Sequence, residues 1–79
     1  MKRAVDLIFP KNLIKEPVIC QMSKELPIVF NVRRAKVTEK VGEIVLELEG
    51  SESDLAAATD YLKKRGIRVE PITHDTFES

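Results

Sequence analysis

The sequence predicts an α+β domain with the element order βαββαβ. Three observations support this fold class: four short segments alternate apolar and polar residues, two others carry apolar residues at helical spacing, and prolines and glycines separate the segments. Of the 79 residues, 43% are hydrophobic and 33% are charged, which is typical of one globular domain. A chain this short buries only roughly 60% of the surface that its unfolded form exposes, and association is a common way to bury more. We therefore expect a homodimer.

The first strand and the first helix follow from two different apolar periods. Val5, Leu7 and Phe9 share one face at the strand period of two. Helical spacing begins after Pro17, whose missing N–H has no partner in a first helical turn, and it ends at Pro27. The apolar residues of this helix are Val18, Ile19, Met22 and Leu26.

The second strand contains a change of apolar phase. Ile28, Phe30 and Val32 occupy even positions, whereas Ala35 and Val37 occupy odd positions. Because successive strand residues point to opposite faces, a one-residue phase change requires a bulge, a kink or a later strand start. The irregularity falls at residues 31–34.

The third strand follows a turn at 41–43 and forms a hairpin with the second strand. Its inward residues are Ile44, Leu46 and Leu48, and its outward residues are Val45, Glu47 and Glu49. The second helix begins within 51–54, which supplies N-cap hydroxyls and acidic side chains. It ends before Gly66, which suits a left-handed C-cap.

A short last strand completes the predicted domain, with Ile67, Val69 and Pro71 on one face. Two βαβ-like halves with right-handed crossovers give a ferredoxin-like βαββαβ plait, a four-stranded antiparallel sheet with two helices on one face. We expect residues 1–72 to form a single domain and residues 73–79 to be a flexible C-terminal tail.

The charge and hydropathy patterns disfavour two classes of partner. Thirteen basic residues balance thirteen acidic ones, so no overall field attracts nucleic acid, and Glu47 and Glu49 on the outer sheet face repel phosphates. No apolar run approaches the ~20 residues that span a bilayer, and no export signal follows the basic start. We therefore expect a cytoplasmic domain that binds no nucleic acid and does not insert into a membrane.

The sequence shows no catalytic or metal-binding constellation. Cys20 is the only cysteine, so it forms neither an internal disulfide nor a thiolate metal site by itself, and we interpret it as a small buried hydrophobe. His74 lies in the tail beside Asp75, and adjacent residues do not converge on one reacting atom. We expect a protein that is not an enzyme and holds no metal or cofactor.

Polar residues interrupt the apolar pattern at the phase change. Asn31 either caps the distorted backbone or holds the polar groups of an amino-acid ligand, and its chemistry alone favours the first role. Arg33 and Arg34 either clamp a carboxylate or pair across the strands with Glu47 or Glu49, and the second arrangement is the commoner one on a wet sheet face.

Short landmarks occur in a distinctive order between residues 5 and 72. They are Leu-Ile-Phe at 7–9, Glu-Pro-Val-Ile at 16–19, Asn31-Val32, Glu-Leu-Glu-Gly at 47–50, Ala-Ala-x-x-x-x-Leu at 56–62 and Gly-Ile-Arg-Val-Glu at 66–70. With these landmarks the chain resembles the NIL domain family, named for an Asn-Ile-Leu-like signature at the start of its second strand. Asn31 and Val32 match the signature, and Arg33 replaces its aliphatic third residue.

The resemblance implies a ferredoxin-like, ACT-like regulatory fold that pairs through its sheets and binds an amino acid near the pairing surface. NIL domains lie at the C-terminus of the ATPase subunit of methionine importers, where they bind methionine and lower transport activity, and others precede ferredoxin-type iron–sulfur segments. The same resemblance implies Asn31 and Val37 as ligand-binding residues.

These implications define two alternative functions. The first is a regulatory module that senses methionine or a related amino acid at a homodimer interface, with a transporter or an iron–sulfur protein as its partner. The second is a protein–protein interaction module that docks through an open sheet edge without a small-molecule ligand.

Overall fold

Four strands form one antiparallel sheet with two helices packed on one face in the computed structural model, which describes residues 1–72. The elements are β1 (Lys2–Phe9), a 3-10 turn (Lys11–Leu13), α1 (Val18–Glu25), β2 (Val29–Val37), β3 (Gly42–Glu49), α2 (Glu52–Lys64) and β4 (Arg68–Pro71). The strand order is β2-β3-β1-β4, so β2 and β4 are the edges. The predicted ferredoxin-like plait is confirmed. The tail predicted to be flexible, residues 73–79 with His74, lies outside the described residues.

The core lies between the helices and one face of the sheet. Val5 and Leu7 of β1 lie opposite Leu46 and Ile44 of β3, so their side chains point to the same face. The helices cover this face with Val18, Met22, Leu55, Ala58 and Leu62. Burying one large aliphatic side chain favours folding by about 1.5–3 kcal/mol, so this single layer is the main source of stability.

Both ends of α2 have the local chemistry that the sequence predicts. The Ser51 hydroxyl accepts a hydrogen bond from the Asp54 amide (3.1 Å), and the Ser51 amide donates to Asp54 Oδ2 (3.2 Å). These two bonds form a capping box. At the other end Gly66 has φ of +91°, the left-handed conformation that glycine adopts without strain. No helix within residues 1–72 is long and apolar enough to cross a membrane.

A β-bulge interrupts the pairing of β2 with β3. The register shifts between Val32 and Arg34, so Arg33 is the extra residue. Because of this extra residue, Ala35 and Val37 lie on the same helix-bearing face as Val32 although their phase differs. The structure thus confirms the predicted irregularity at 31–34 and shows that it is a bulge.

Two expectations about local structure are wrong. Cys20 is exposed, because it lies midway between Val18 and Met22, the buried residues of α1, and two helical steps turn a side chain to the opposite side. The turn between β2 and β3 lies at 38–41 rather than at 41–43. The Thr38 hydroxyl accepts a hydrogen bond from the Val41 amide (3.0 Å), and β3 begins at Gly42, two residues earlier than expected.

Within residues 1–72 no helix covers the second face of the sheet, which we call the open face. Val45 lies on it as predicted, yet only 1% of its surface is exposed. Its cross-strand neighbours are Asp6 of β1 and Arg34 of β2, whose side chains rise from the same face on either side. A valine between two longer polar side chains is therefore buried without a second layer of structure.

Candidate ligand-binding groove

An apolar groove of about 160 Å³ lies at the end of the sheet where β1 and β2 finish and β3 begins. The first turn of α1, including Val18 and Ile19, forms one wall. Glu16 and Cys20, both exposed, also border the groove, whose other lining residues are apolar. Such a lining suits an apolar group of a ligand, because burying a polar group without a hydrogen bond is unfavourable.

The strand register assembles the floor of the groove. Phe9, the last residue of β1, and Val37, the last residue of β2, both lie opposite Gly42 at the start of β3. A Cβ atom at Gly42 would lie 3.4 Å from Ile14 Cγ1 and 3.5 Å from Phe9 Cβ. These are ordinary van der Waals distances, so alanine fits at position 42 but occupies space in the groove.

The two ligand-binding residues predicted from the family resemblance lie on opposite faces of β2. Val37 lines the groove and is 60% exposed. Asn31 lies opposite Glu47 on the open face, where its side chain is exposed. Within one chain, therefore, only Val37 belongs to the groove.

The edge strand β2 and the turn that follows it leave apolar side chains exposed, of which Val37 lines the groove. The edge valines, which we define as Val29, Val32, Val37 and Val41, have 48–65% of their surface exposed. In β2 itself only Phe30 is half-buried. An edge strand also presents backbone N–H and C=O groups that are not paired within the sheet. The edge therefore combines hydrogen-bonding capacity with apolar surface.

A wider depression adjoins the groove on the side away from the core. The lysine depression, as we call it, has a volume of about 820 Å³ and is lined by Lys11, Asn12, Ile14, Lys15, Thr38 and Glu39. Ile14 lines both the depression and the groove. Sequence periodicity gives no sign of this site, because its residues lie in two connections whose proximity depends on the packing of the whole domain.

The open face carries a carboxyl group with an altered pKa. Burial, a hydrogen bond with Glu43 and the charge of Glu43 raise the pKa of Asp6 from 3.8 to about 6, against the opposing charge of Arg34. Arg34 lies opposite Val45 rather than opposite Glu47 or Glu49. Within residues 1–72, no group of three or more His, Cys, Asp or Glu side chains is placed to hold a metal ion.

The family comparison covers nearly the whole described chain. The NIL domain model matches residues 3–71. The chain belongs to the NIL domain family. This membership confirms the resemblance drawn from the landmarks at 7–70.

Curated relatives of this NIL domain are import proteins of bacteria. It is 29% identical over 72 residues to a methionine import ATP-binding protein, MetN, of Cupriavidus metallidurans, covering 86% of this chain and 21% of that protein. It is 24% identical over 76 residues to MetN 1 of Bacillus licheniformis, covering 91% of this chain and 23% of that protein. The NIL domain thus spans about a fifth of the length of these relatives.

A solved structure has the same fold as this NIL domain. The C-terminal domain of an ABC transporter ATP-binding protein from Enterococcus faecalis superposes with a TM-score of 0.78. The match covers 92% of this chain and 86% of that chain, at 22% sequence identity. The likeness therefore concerns the four-stranded sheet and its two helices.

Proposed function

We propose that this NIL domain is a non-catalytic regulatory module whose groove takes up the side chain of methionine or a related small amino acid. The groove of about 160 Å³ carries the proposal. An apolar cavity of about 150 Å³ accommodates benzene, so an unbranched thioether side chain fits the groove by volume. Phe9 in the floor offers an aromatic ring, against which a thioether sulfur packs favourably.

The proposal includes a homodimer that pairs through β2. The edge valines and the backbone of β2 form an apolar, hydrogen-bonding edge, and Val37 makes this edge continuous with the groove. A second copy suits the edge because a domain of this size gains stability by burying apolar area between copies. Asn31 stays a ligand-binding candidate in this dimer, because it lies on the strand at which the second copy pairs.

The proposed setting is a methionine transporter in the cytoplasm. The relatives are methionine import ATP-binding proteins, and the NIL domain covers about a fifth of each. ATP binding by such a protein takes place in the cytoplasm, so a regulatory domain joined to it is located there as well. These relatives favour a transporter over an iron–sulfur protein as the partner.

Isothermal titration calorimetry of the 79-residue protein with L-methionine tests the ligand. We expect saturable heat, and a Gly42→Ala variant is expected to bind several-fold more weakly because its methyl group occupies the groove. Ala57→Ser, which adds one atom at an exposed position of α2, is the control and keeps the wild-type affinity.

Thermal unfolding gives a second measurement of the same binding. Methionine at about 100 times its dissociation constant adds about 2.7 kcal/mol of stability, which raises the melting temperature by several degrees. If neither heat nor a thermal shift is found with methionine, homocysteine or other amino acids, the domain does not bind amino acids.

A second function, docking of a protein without a small molecule, is favoured by one observation. Between Val29 and Val37 the edge strand carries Arg33, Arg34 and Lys36 and no acidic residue, which suits an acidic partner strand. Asn31→Ala distinguishes the two functions. Loss of methionine binding with self-association intact supports sensing, whereas loss of association alone supports docking.

A further inference from the structure

The groove suits the apolar side chain of an amino-acid ligand but not its charged head group. Its lining is apolar apart from Glu16 and Cys20, so it offers no cation to a carboxylate. A zwitterionic head group buried there without partners would be strongly unfavourable. The charged end of the ligand must therefore lie outside the groove, in a place that the same molecule reaches.

The lysine depression is the adjoining place with suitable charge. It shares Ile14 with the groove and presents the ammonium groups of Lys11 and Lys15 together with the carboxylate of Glu39. Neither lysine takes part in an ion pair within residues 1–72. Both side chains are exposed, so they reach a ligand without a rearrangement of the core.

The hydroxyl of Thr38, which also lines the depression, stabilises the turn at 38–41. Thr38 Oγ1 accepts from the Val41 amide (3.0 Å) and donates to the Val41 carbonyl (3.1 Å). These bonds fix the turn on which Glu39, another lining residue of the depression, lies. The lining of the depression thus carries two cationic side chains on one connection and an anionic side chain on the other.

We propose that Lys11 and Lys15 bind the carboxylate of the ligand whose side chain fills the groove, and that Glu39 binds its ammonium group. The inference rests on the proposed function, since it assigns the second half of that site. It specifies the ligand class as a free α-amino acid with an unbranched apolar side chain. Charge-assisted hydrogen bonds at both head groups exclude amines without a carboxylate and acids without an amine.

Calorimetry with matched ligands and variants of the 79-residue protein tests this assignment. The ligands are L-methionine and L-methioninamide, which has the same side chain without the carboxylate charge. The variant is Lys11→Gln with Lys15→Gln, and the control is Lys24→Gln with Lys63→Gln, which removes the same charge from exposed positions on α1 and α2.

We expect wild-type protein and the control to bind methionine at least tenfold more tightly than methioninamide. The Lys11/Lys15 variant is expected to lose this preference, while Gly42→Ala weakens both ligands by the same factor. Equal binding of both ligands to the wild type, or an unchanged preference in the Lys11/Lys15 variant, overturns the assignment and leaves the groove intact as a site. Absence of binding by either ligand overturns the proposed function together with the assignment.

Discussion

Asp6 lies on the central strand β1, on the open face and beside the buried Val45. Its Oδ1 atom is buried without a hydrogen-bond partner within residues 1–72. Glu43 and Glu70 add negative charge around it, and Arg34 supplies the opposing positive charge. Burial and like charge both favour the protonated acid, which explains a pKa of about 6.

The stability of the domain is therefore expected to fall as the pH rises from about 4 to above 6. The folded protein holds a proton on Asp6 that the unfolded chain, with a pKa near 3.8, has already released. The stabilisation is complete below the unfolded pKa and is lost through the folded one. Melting temperatures measured across this range check the expectation.

Asp6→Asn separates this effect from other titrations. The amide imitates the protonated acid, so the variant is expected to lose less stability between pH 4 and pH 7 than the wild type. Glu49→Gln, at the exposed end of β3, is the matched control and keeps the wild-type slope. Identical slopes for Asp6→Asn and the wild type contradict a proton held at Asp6.

For a single residue, the sequence predicts which face of the sheet its side chain lies on better than it predicts which groups surround that side chain. Alternation along β1 puts Asp6 on the outer side, but its pKa depends on Glu43, Arg34 and Glu70, which come from three other strands. Lys11 and Lys15 show the same limit, because in the sequence they are ordinary loop residues and only the folded chain places them beside Thr38 and Glu39 of the 38–41 turn.

The bulge in β2 keeps Phe30, Val32, Ala35 and Val37 on the helix-bearing face of the sheet although their sequence phase changes. Parity along the chain predicts an irregularity, because apolar residues change from even to odd positions, and the strand register shows that it is an extra residue and not a kink or a later strand start. The error at Cys20 has the opposite origin. Cysteine is usually buried, but the spacing of Val18 and Met22 on α1 turns Cys20 outward.

Deleting Arg33 is expected to leave the domain folded. The deletion brings Phe30, Val32, Ala35 and Val37 into a single alternating phase, so a regular strand replaces the bulged one. Deleting Glu47 from β3 is the control, because it moves the residues on one side of the cut to the wrong face and disrupts the core.

Circular dichroism and thermal melting distinguish the two deletions. We expect a cooperative transition without Arg33 and its loss without Glu47. If both deletions unfold the protein, the bulge is required for more than the phase of the apolar residues.

At the scale of the whole described chain, residues 1–72 form a sheet with one helix-covered face, one open face and one long uncovered edge at β2. Its helices follow from apolar spacing and end signals, and its strand order follows from the handedness of crossovers, so both are predictable from the sequence. The groove is not predictable from the sequence, because it forms from the ends of three strands and the start of α1. Val37 was identified through family resemblance alone.

Association through β2 is expected to disappear when a charge is placed among the edge valines. Val32→Glu adds a carboxylate to a position that is 49% exposed and lies outside the groove. Sedimentation equilibrium is expected to give a dimer for the wild type and a monomer for Val32→Glu. Ala57→Glu on α2 is the control and remains a dimer; a monomeric wild type at concentrations of ~100 μM contradicts pairing at this edge.

Val37 is at once part of the groove floor and one of the edge valines. Two binding events that share a side chain are thermodynamically linked, and the linkage is reciprocal. If methionine changes the dimer constant by some factor, dimerisation changes the methionine affinity by the same factor. We therefore expect the midpoint of a methionine titration to depend on protein concentration, so that the domain responds to its own abundance as well as to the amino acid.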